Sequence, residues 1–238
     1  MLEHLDLTKV LCLDIETVPA YPDYEKVPSQ WKELWNRKIS TQSQYEGKDP
    51  SETYNRAGIY AEFGKIICIC VGYFQRNGNE YSFRMKSFYG DDERTLLEAF
   101  SSMLDKLYGY SLCAHNGKEF DFPFISRRCL VNDIPIPKIL DVSGKKPWEV
   151  SFLDTMELWK FGDYKSFTSL NLLATLFDIP TPKDDIDGSE VWKVYWLENN
   201  LERIRNYCRK DVVTVARLLL KYTGGPALTD DNIIHADD

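Results

Sequence analysis

Two acids interrupt the run "VLCLDIETVP". Val10 to Glu16 has the apolar, β-rich character of a buried strand, yet Asp14 and Glu16 stand inside it. Alternate strand residues share a face, so these carboxylates point the same way, about 7 Å apart. Two such charges repel each other and lose hydration, so compensation must come from elsewhere in the chain.

The same conflict recurs twice. A helix is expected from about Glu198 to Tyr222, ended by Gly224-Gly225. Its apolar stripe is Leu201, Ile204, Cys208, Val212, Val215, Leu219 and Tyr222, and Asp211 falls within it. Tyr207, four residues earlier, lies on the same face. In "CAHNGKEFDFPFI", Asp121 sits among Phe120, Phe122, Pro123 and Phe124, and Asn116-Gly117 marks a strand end where backbone can approach a ligand.

Taken singly, each acid reads as a cap or half of a structural ion pair. Basic partners are scarce, however. The strand has none, and Arg203, Arg205, Arg209 and Lys210 are expected at the sides or back of the last helix. Four carboxylates converging on divalent cations resolve all three conflicts together, and oxygen ligation suits Mg²⁺ or Mn²⁺.

The rest of the chain reads as one α/β domain over 1–225, with an early mixed sheet followed by helices. Segment 19–64, with Tyr21, Tyr24, Trp31, Trp35, Tyr45, Tyr54 and Tyr60, reads as a helical insertion over one face. Its aromatics either pack together or stack single-stranded bases. "KIICICVGYF" and "EYSFRMKSFY" flank Arg76-Asn77-Gly78-Asn79 as a hairpin. "DDERTLLEAFSSMLDKLYG" predicts a helix closed by Gly109, "YSLCAHNG" a short strand, and "EFDFPFISRRCLVND" a helix beyond Pro123. Asp154 and Glu157 have capping-box spacing, which favours a cap at Asp154 over a ligand. "SFTSLNLLATLFDIP" predicts a further helix.

The net charge of −8 argues against gripping nucleic acid by bulk electrostatics alone. Asp230, Asp231, Asp237 and Asp238 supply half of that excess from a tail, 226–238, expected to be frayed. No apolar stretch approaches membrane-span length and no signal-peptide core is found, so a cytoplasmic protein is expected. Six cysteines without a C-x-x-C pair read as core residues in a reducing compartment. With His4, His115 and His235 alone, a Cys/His zinc site is not expected.

In order, "DIET", "HNGKEFDFP" and "YCRKDV" resemble the three exonuclease motifs of the DEDD superfamily, which has the ribonuclease-H-like fold. The Y-x-x-x-D form of the third motif is that of the tyrosine subtype, and no histidine lies between His115 and His235 to suit the histidine subtype. The chain looks most similar to the proofreading exonuclease domain of family-B DNA polymerases in a stand-alone version. "AEFGKIICICVGY" and "IDGSEVWKVYW" support that match, and 238 residues leave no room for a polymerase domain.

The resemblance implies a two-metal 3′–5′ exonuclease releasing nucleoside 5′-monophosphates from single-stranded 3′ ends, DNA favoured. Asp14 would bridge two ions, Glu16 and Asp211 would complete one site, Asp121 would hold the second, and Tyr207 would orient the attacking water. Asn116 and Phe120 would touch the 3′-terminal nucleotide, though Phe120 serves equally as packing. Thr17 is close enough to the acids to meet phosphate or sugar. Lys145-Lys146 and Arg127-Arg128 either contact phosphate or are solvated surface. Three alternatives stay open: an inactive nucleic-acid-binding module of the same fold, an RNA-trimming exonuclease, and a structural acid network matched by buried Lys or Arg. The sequence does not separate DNA from RNA, nor does it say whether a polymerase or repair partner acts in trans.

Overall fold

The computed structural model describes residues 2, 4–78, 80–163, 165–180 and 186–236. Asn79 of the hairpin turn and Asp237 and Asp238 of the tail lie outside the described residues. Strand β1 (Val10–Pro19) runs past the expected end at Glu16. Segment 19–64 carries helices α1 (Ser29–Ser40) and α2 (Pro50–Thr53) and several 3₁₀ turns, the last at Tyr54–Ile59. The hairpin strands β2 (Gly64–Asn77) and β3 (Glu80–Tyr89) follow. Next come α3 (Glu93–Leu104), β4 (Ser111–Ala114), α4 (Asp121–Val131), β5 (Leu153–Asp154) and α5 (Thr155–Lys160). Helices α6 (Leu170–Leu176), α7 (Val191–Trp196) and α8 (Leu201–Thr223) precede β6 (Ile233–His235).

The six strands form one mixed sheet in the order β5-β4-β1-β2-β3-β6. β1, β2 and β3 are antiparallel neighbours, whereas β4 joins β1, β5 joins β4 and β6 joins β3 in parallel. Side-chain alternation along β1 divides the core. Leu11, Leu13 and Ile15 pack with Leu97 and Phe100 of α3 and Phe122 and Ile125 of α4. Cys12 and Val18 face the other way, with Cys68 and Cys70 of β2 and the Ile204–Val215 face of α8. Asp14 and Glu16 belong to that second face by the same parity.

Segment 19–64 has its own apolar cluster around fully buried Trp35, which meets Tyr54, Tyr60 and Phe63 edge-on. The Trp35 indole N–H donates to Pro50 O at 2.9 Å. The aromatics in this cluster are packing residues rather than free platforms for bases. The segment touches β1 by direct backbone approach. A Cβ on Gly58 would lie 3.0 Å from Val18 C and 3.1 Å from Pro19 N, so any larger residue would push the layers apart.

Several expectations need correction. The tail is not frayed through its described part: a 3₁₀ turn at Asp230–Asn232 leads into β6, which pairs with Phe83–Met85 of β3. Arg217 donates to both Leu228 O and Asp230 Oδ1, anchoring this segment to α8. Helix α3 ends at Leu104, and Gly109 occupies a later turn at φ +73°. Helix α6 is shorter than expected because Ser169 caps it, accepting from Leu172 N. Arg209 does not project to the side or back of α8 but is buried, its Nε donating to Ser87 Oγ on β3. Arg128 is likewise enclosed. Its Nε donates to Glu93 Oε1 at 2.9 Å and its Nη1 to Ala61 O at 2.8 Å, so it ties α3, α4 and segment 19–64 together instead of waiting for phosphate. Among the described residues no helix is long and apolar enough to cross a membrane.

Candidate active site

Strand β1 and helix α8 bring the first and third motifs together. Asp14, Glu16 and Thr17 from β1, Tyr207 and Asp211 from α8 and Phe120 ahead of α4 line one cleft of about 260 Å³. A register shift in the β1–β2 pairing falls between Glu16 and Thr17, where the acid pair meets the cleft. Helix α8 reaches this depth because its buried residues from Ile204 to Leu219 are apolar apart from Arg209, Asp211 and Thr214, with Asn200 capping its start and Gly224 closing it at φ +71°.

Asp121 is not among the cleft-lining residues but bonds to the strand that carries Asp14 and Glu16. It is the first residue of α4, almost wholly buried, and its Oδ1 accepts the Ile15 backbone N–H at 3.1 Å. That N–H needs an acceptor because β4 pairs with β1 only over Val10–Cys12. Pro123 sits inside the first helical turn, where a missing N–H costs nothing.

Asp154 positions this region, and the structure makes it a cap as expected. Its carboxylate accepts from Met156 N, and also from Asn116 N at 2.9 Å and Lys118 N at 3.1 Å. The 116–118 turn is thereby pinned to the start of α5. Gly117 serves packing rather than ligand approach: a Cβ there would fall 2.4 Å from Ala114 Cβ. Asn116, at φ +65°, is not among the cleft-lining residues, and its Oδ1 is buried without a hydrogen-bond partner among the described residues. Thr17 lines the cleft, but its hydroxyl already donates to Gly58 O at 2.8 Å, tying β1 to segment 19–64.

The electrostatics are those of crowded acid. Burial raises the Asp14 carboxyl well above its ordinary value, and Asp211, Glu16 and Asp121 raise it further. Glu16 is raised by burial and then by Asp211. Burial brings Asp121 to about 7 against two opposing backbone hydrogen bonds. Tyr207 is pushed up, first by burial and then by Asp211, Glu16 and Asp14, so its hydroxyl keeps its proton. Asp14 Oδ2 is fully enclosed and has no hydrogen-bond partner among the described residues. An enclosed carboxylate oxygen, set among further carboxylates that act on it electrostatically, fits a divalent cation.

Several cleft residues carried no signal in the sequence. Asn55, Arg56 and Ile59 reach it from the 3₁₀ turn of segment 19–64. A lone arginine in an irregular stretch is indistinguishable from solvated surface. Gly188, Ser189 and Trp192 come from "IDGSEVW", a stretch that stood out only by resemblance. Gly188 faces Tyr207, since a Cβ on it would stand 3.9 Å from the hydroxyl.

Comparison with known proteins fits this geometry. The model of a family described as a predicted 3′–5′ exonuclease related to the exonuclease domain of PolB matches residues 59–229. That stretch holds Asp121, Tyr207 and Asp211 and begins after Asp14 and Glu16. Among solved structures, the family B DNA polymerase of the hyperthermophilic archaeon Pyrobaculum calidifontis is similar, with a TM-score of 0.54 at 15% identity. The likeness covers 89% of this chain and 24% of the polymerase. No curated protein matches the sequence. The mixed sheet flanked by helices is the ribonuclease-H-like fold of the polymerase exonuclease domain.

Proposed function

The chain belongs to the family of predicted 3′–5′ exonucleases related to the exonuclease domain of PolB, and on that footing we propose that it removes nucleoside 5′-monophosphates from the 3′ end of single-stranded nucleic acid, DNA favoured, with two divalent cations. The observation that supports this reading is that Asp14, Glu16 and Asp211, from two distant segments, line one cleft, that Asp121 from a third acts on Asp14 electrostatically, and that Asp14 Oδ2 is enclosed with no hydrogen-bond partner among the described residues. Asp14, Glu16 and Asp211 would hold the ions from the cleft floor, with Asp121 behind them. Bound there, a pair of cations supplies positive charge to both the attacking and the leaving oxygens of a phosphodiester.

The chain's own residues do the rest. Tyr207 stays protonated, so its hydroxyl is a hydrogen-bond donor and acceptor that orients the attacking water instead of abstracting its proton. Phe120 offers a ring edge or face to the terminal base or sugar. Arg56, across the cleft, places a guanidinium where a phosphate can meet it.

A 3′-labelled and a 5′-labelled oligonucleotide, as DNA and as RNA of one sequence, incubated with Mg²⁺, Mn²⁺ or EDTA, test the proposal. Stepwise shortening from the 3′ end, dependent on metal, is expected. Folded protein that binds the oligonucleotide equally with and without metal and never shortens it points to a binding module instead.

A further inference from the structure

Beneath the carboxylates lies a second cluster of ligand atoms that the exonuclease reading does not use. Cys68 and Cys70, two residues apart on β2, turn their thiols to the face covered by α8, and Cys208 descends from α8 to meet them. The three sulfur atoms lie within 4.8 Å of one another, and all three residues are fully buried. The Cys68–Cys70 sulfur separation is 3.7 Å. Sulfurs sharing a tetrahedral zinc at about 2.3 Å stand about 3.8 Å apart, so this pair already spans one edge of such a site.

A fourth ligand is at hand. Glu16 is paired with Cys68 across the β1–β2 ladder. Cys208 Sγ lies within 4.8 Å of carboxylate oxygens of both Asp14 and Glu16. A positive charge stands near: Cys70 Sγ contacts Ser87 Oγ at 3.5 Å, and that oxygen accepts from the guanidinium of Arg209 at 2.9 Å. The cleft-lining Asp14 and Glu16 adjoin Cys208, so the carboxylates link the cleft to the buried thiols.

We propose that Cys68, Cys70 and Cys208 form a soft-metal site for a thiophilic divalent cation of the Zn²⁺ or Cd²⁺ kind, with the Glu16 carboxylate at the fourth corner. Each thiol passes its proton to solvent as its sulfur binds the ion. Hard cations such as Mg²⁺ do not compete for sulfur, so this site is selective where the carboxylate cleft is not. Occupancy draws Glu16 away from the acid cleft, so a thiophilic ion switches off any chemistry that depends on that residue there.

Titration of the full chain with Cd²⁺ in excess Mg²⁺, followed by thiolate-to-metal charge-transfer absorbance, tests the assignment without reference to catalysis. The band is expected to rise to one equivalent, to be lost in Cys70→Ser and Cys208→Ser, and to persist in Cys129→Ser, whose thiol lies on the opposite face of the sheet. Circular dichroism checks that each variant is folded. Absence of the band in the unaltered protein overturns the proposal whatever the variants do, as does a full band in folded Cys70→Ser. In a parallel oligonucleotide assay with Mg²⁺ in large excess, one equivalent of Cd²⁺ is expected to suppress cleavage in the unaltered protein and to do so markedly less in Cys70→Ser, where only the unselective carboxylate cleft is left to bind it. A chain that binds Cd²⁺ in this way but cleaves nothing defeats the exonuclease reading alone.

Discussion

The carboxylate of Asp121 takes the backbone N–H of Ile15, a bond that joins residues 106 positions apart and fixes α4 against the acid-bearing strand. It gives one side chain two duties that substitution can separate. Asp121→Asn keeps an oxygen acceptor for Ile15 and discards the charge. The variant is expected to fold, with cleavage reduced roughly 10²–10³-fold, the usual cost of removing one electrostatic stabiliser. Asp121→Ala also leaves the Ile15 N–H buried and unpaired, costing a further ~1–3 kcal/mol in denaturant unfolding. Equal stability of the two variants would contradict the structural duty.

Stability should depend on pH in the direction set by raised carboxyl values. Asp121 stands at about 7 when folded, against an ordinary 3.8, so the folded state holds a proton that the unfolded chain has released. Its contribution is complete below the ordinary value and is lost as pH rises through about 7. Asp14 and Glu16, shifted the same way, add to the trend. Metal-free protein is therefore expected to melt lower at pH 8 than at pH 5.5, and Mn²⁺ to raise the Tm more at pH 8. Calorimetry in EDTA and in Mn²⁺ at both pH values checks this, and Asp14→Asn should shrink the difference.

Tyr207→Phe isolates the hydroxyl. The ring stays packed beside α8's apolar face, so the melting temperature and single-strand affinity should hold while kcat falls roughly 10²-fold. Because burial keeps the phenol protonated, the pH–rate profile of the unaltered protein should show no limb from this residue below about pH 10. Loss of binding with kcat preserved would reassign Tyr207 to substrate contact.

The Arg128–Glu93 pair predicts the opposite pattern. Glu93 also accepts Ile66 N at 2.7 Å and Asn132 Nδ2 at 3.0 Å, so the pair is embedded in a buried network. Arg128→Ala strands that carboxylate and should cost about 3–5 kcal/mol in denaturant unfolding. The salt dependence of oligonucleotide binding should not change, whereas a phosphate-contacting arginine would lower its slope.

Much of this was legible in the sequence wherever a residue contradicts its surroundings. Asp14, Glu16, Asp121 and Asp211 each break an apolar pattern, and the hairpin and α8 follow from turn chemistry and 3.6-residue periodicity. What stayed hidden depends on partners far away in the chain. Arg209 turns inward because β3 offers Ser87, a polar acceptor no helical wheel displays. Arg128 resembles surface until Glu93 is placed opposite it. Cys68, Cys70 and Cys208 read as separate core residues until β2 and α8 are stacked. The order of the tail is invisible in the sequence because three residues of strand leave almost no periodic trace among acids.

That short strand has a bearing on solubility. The outer side of β3 is ten residues long and, over Phe83–Met85, its amides and carbonyls are occupied by β6. With Asp230 and Asp231 just ahead of it, β6 breaks up a ribbon of open hydrogen-bonding groups that would otherwise invite a second molecule to zip on. A chain cut after Gly225 should therefore self-associate as concentration rises, which light scattering would register.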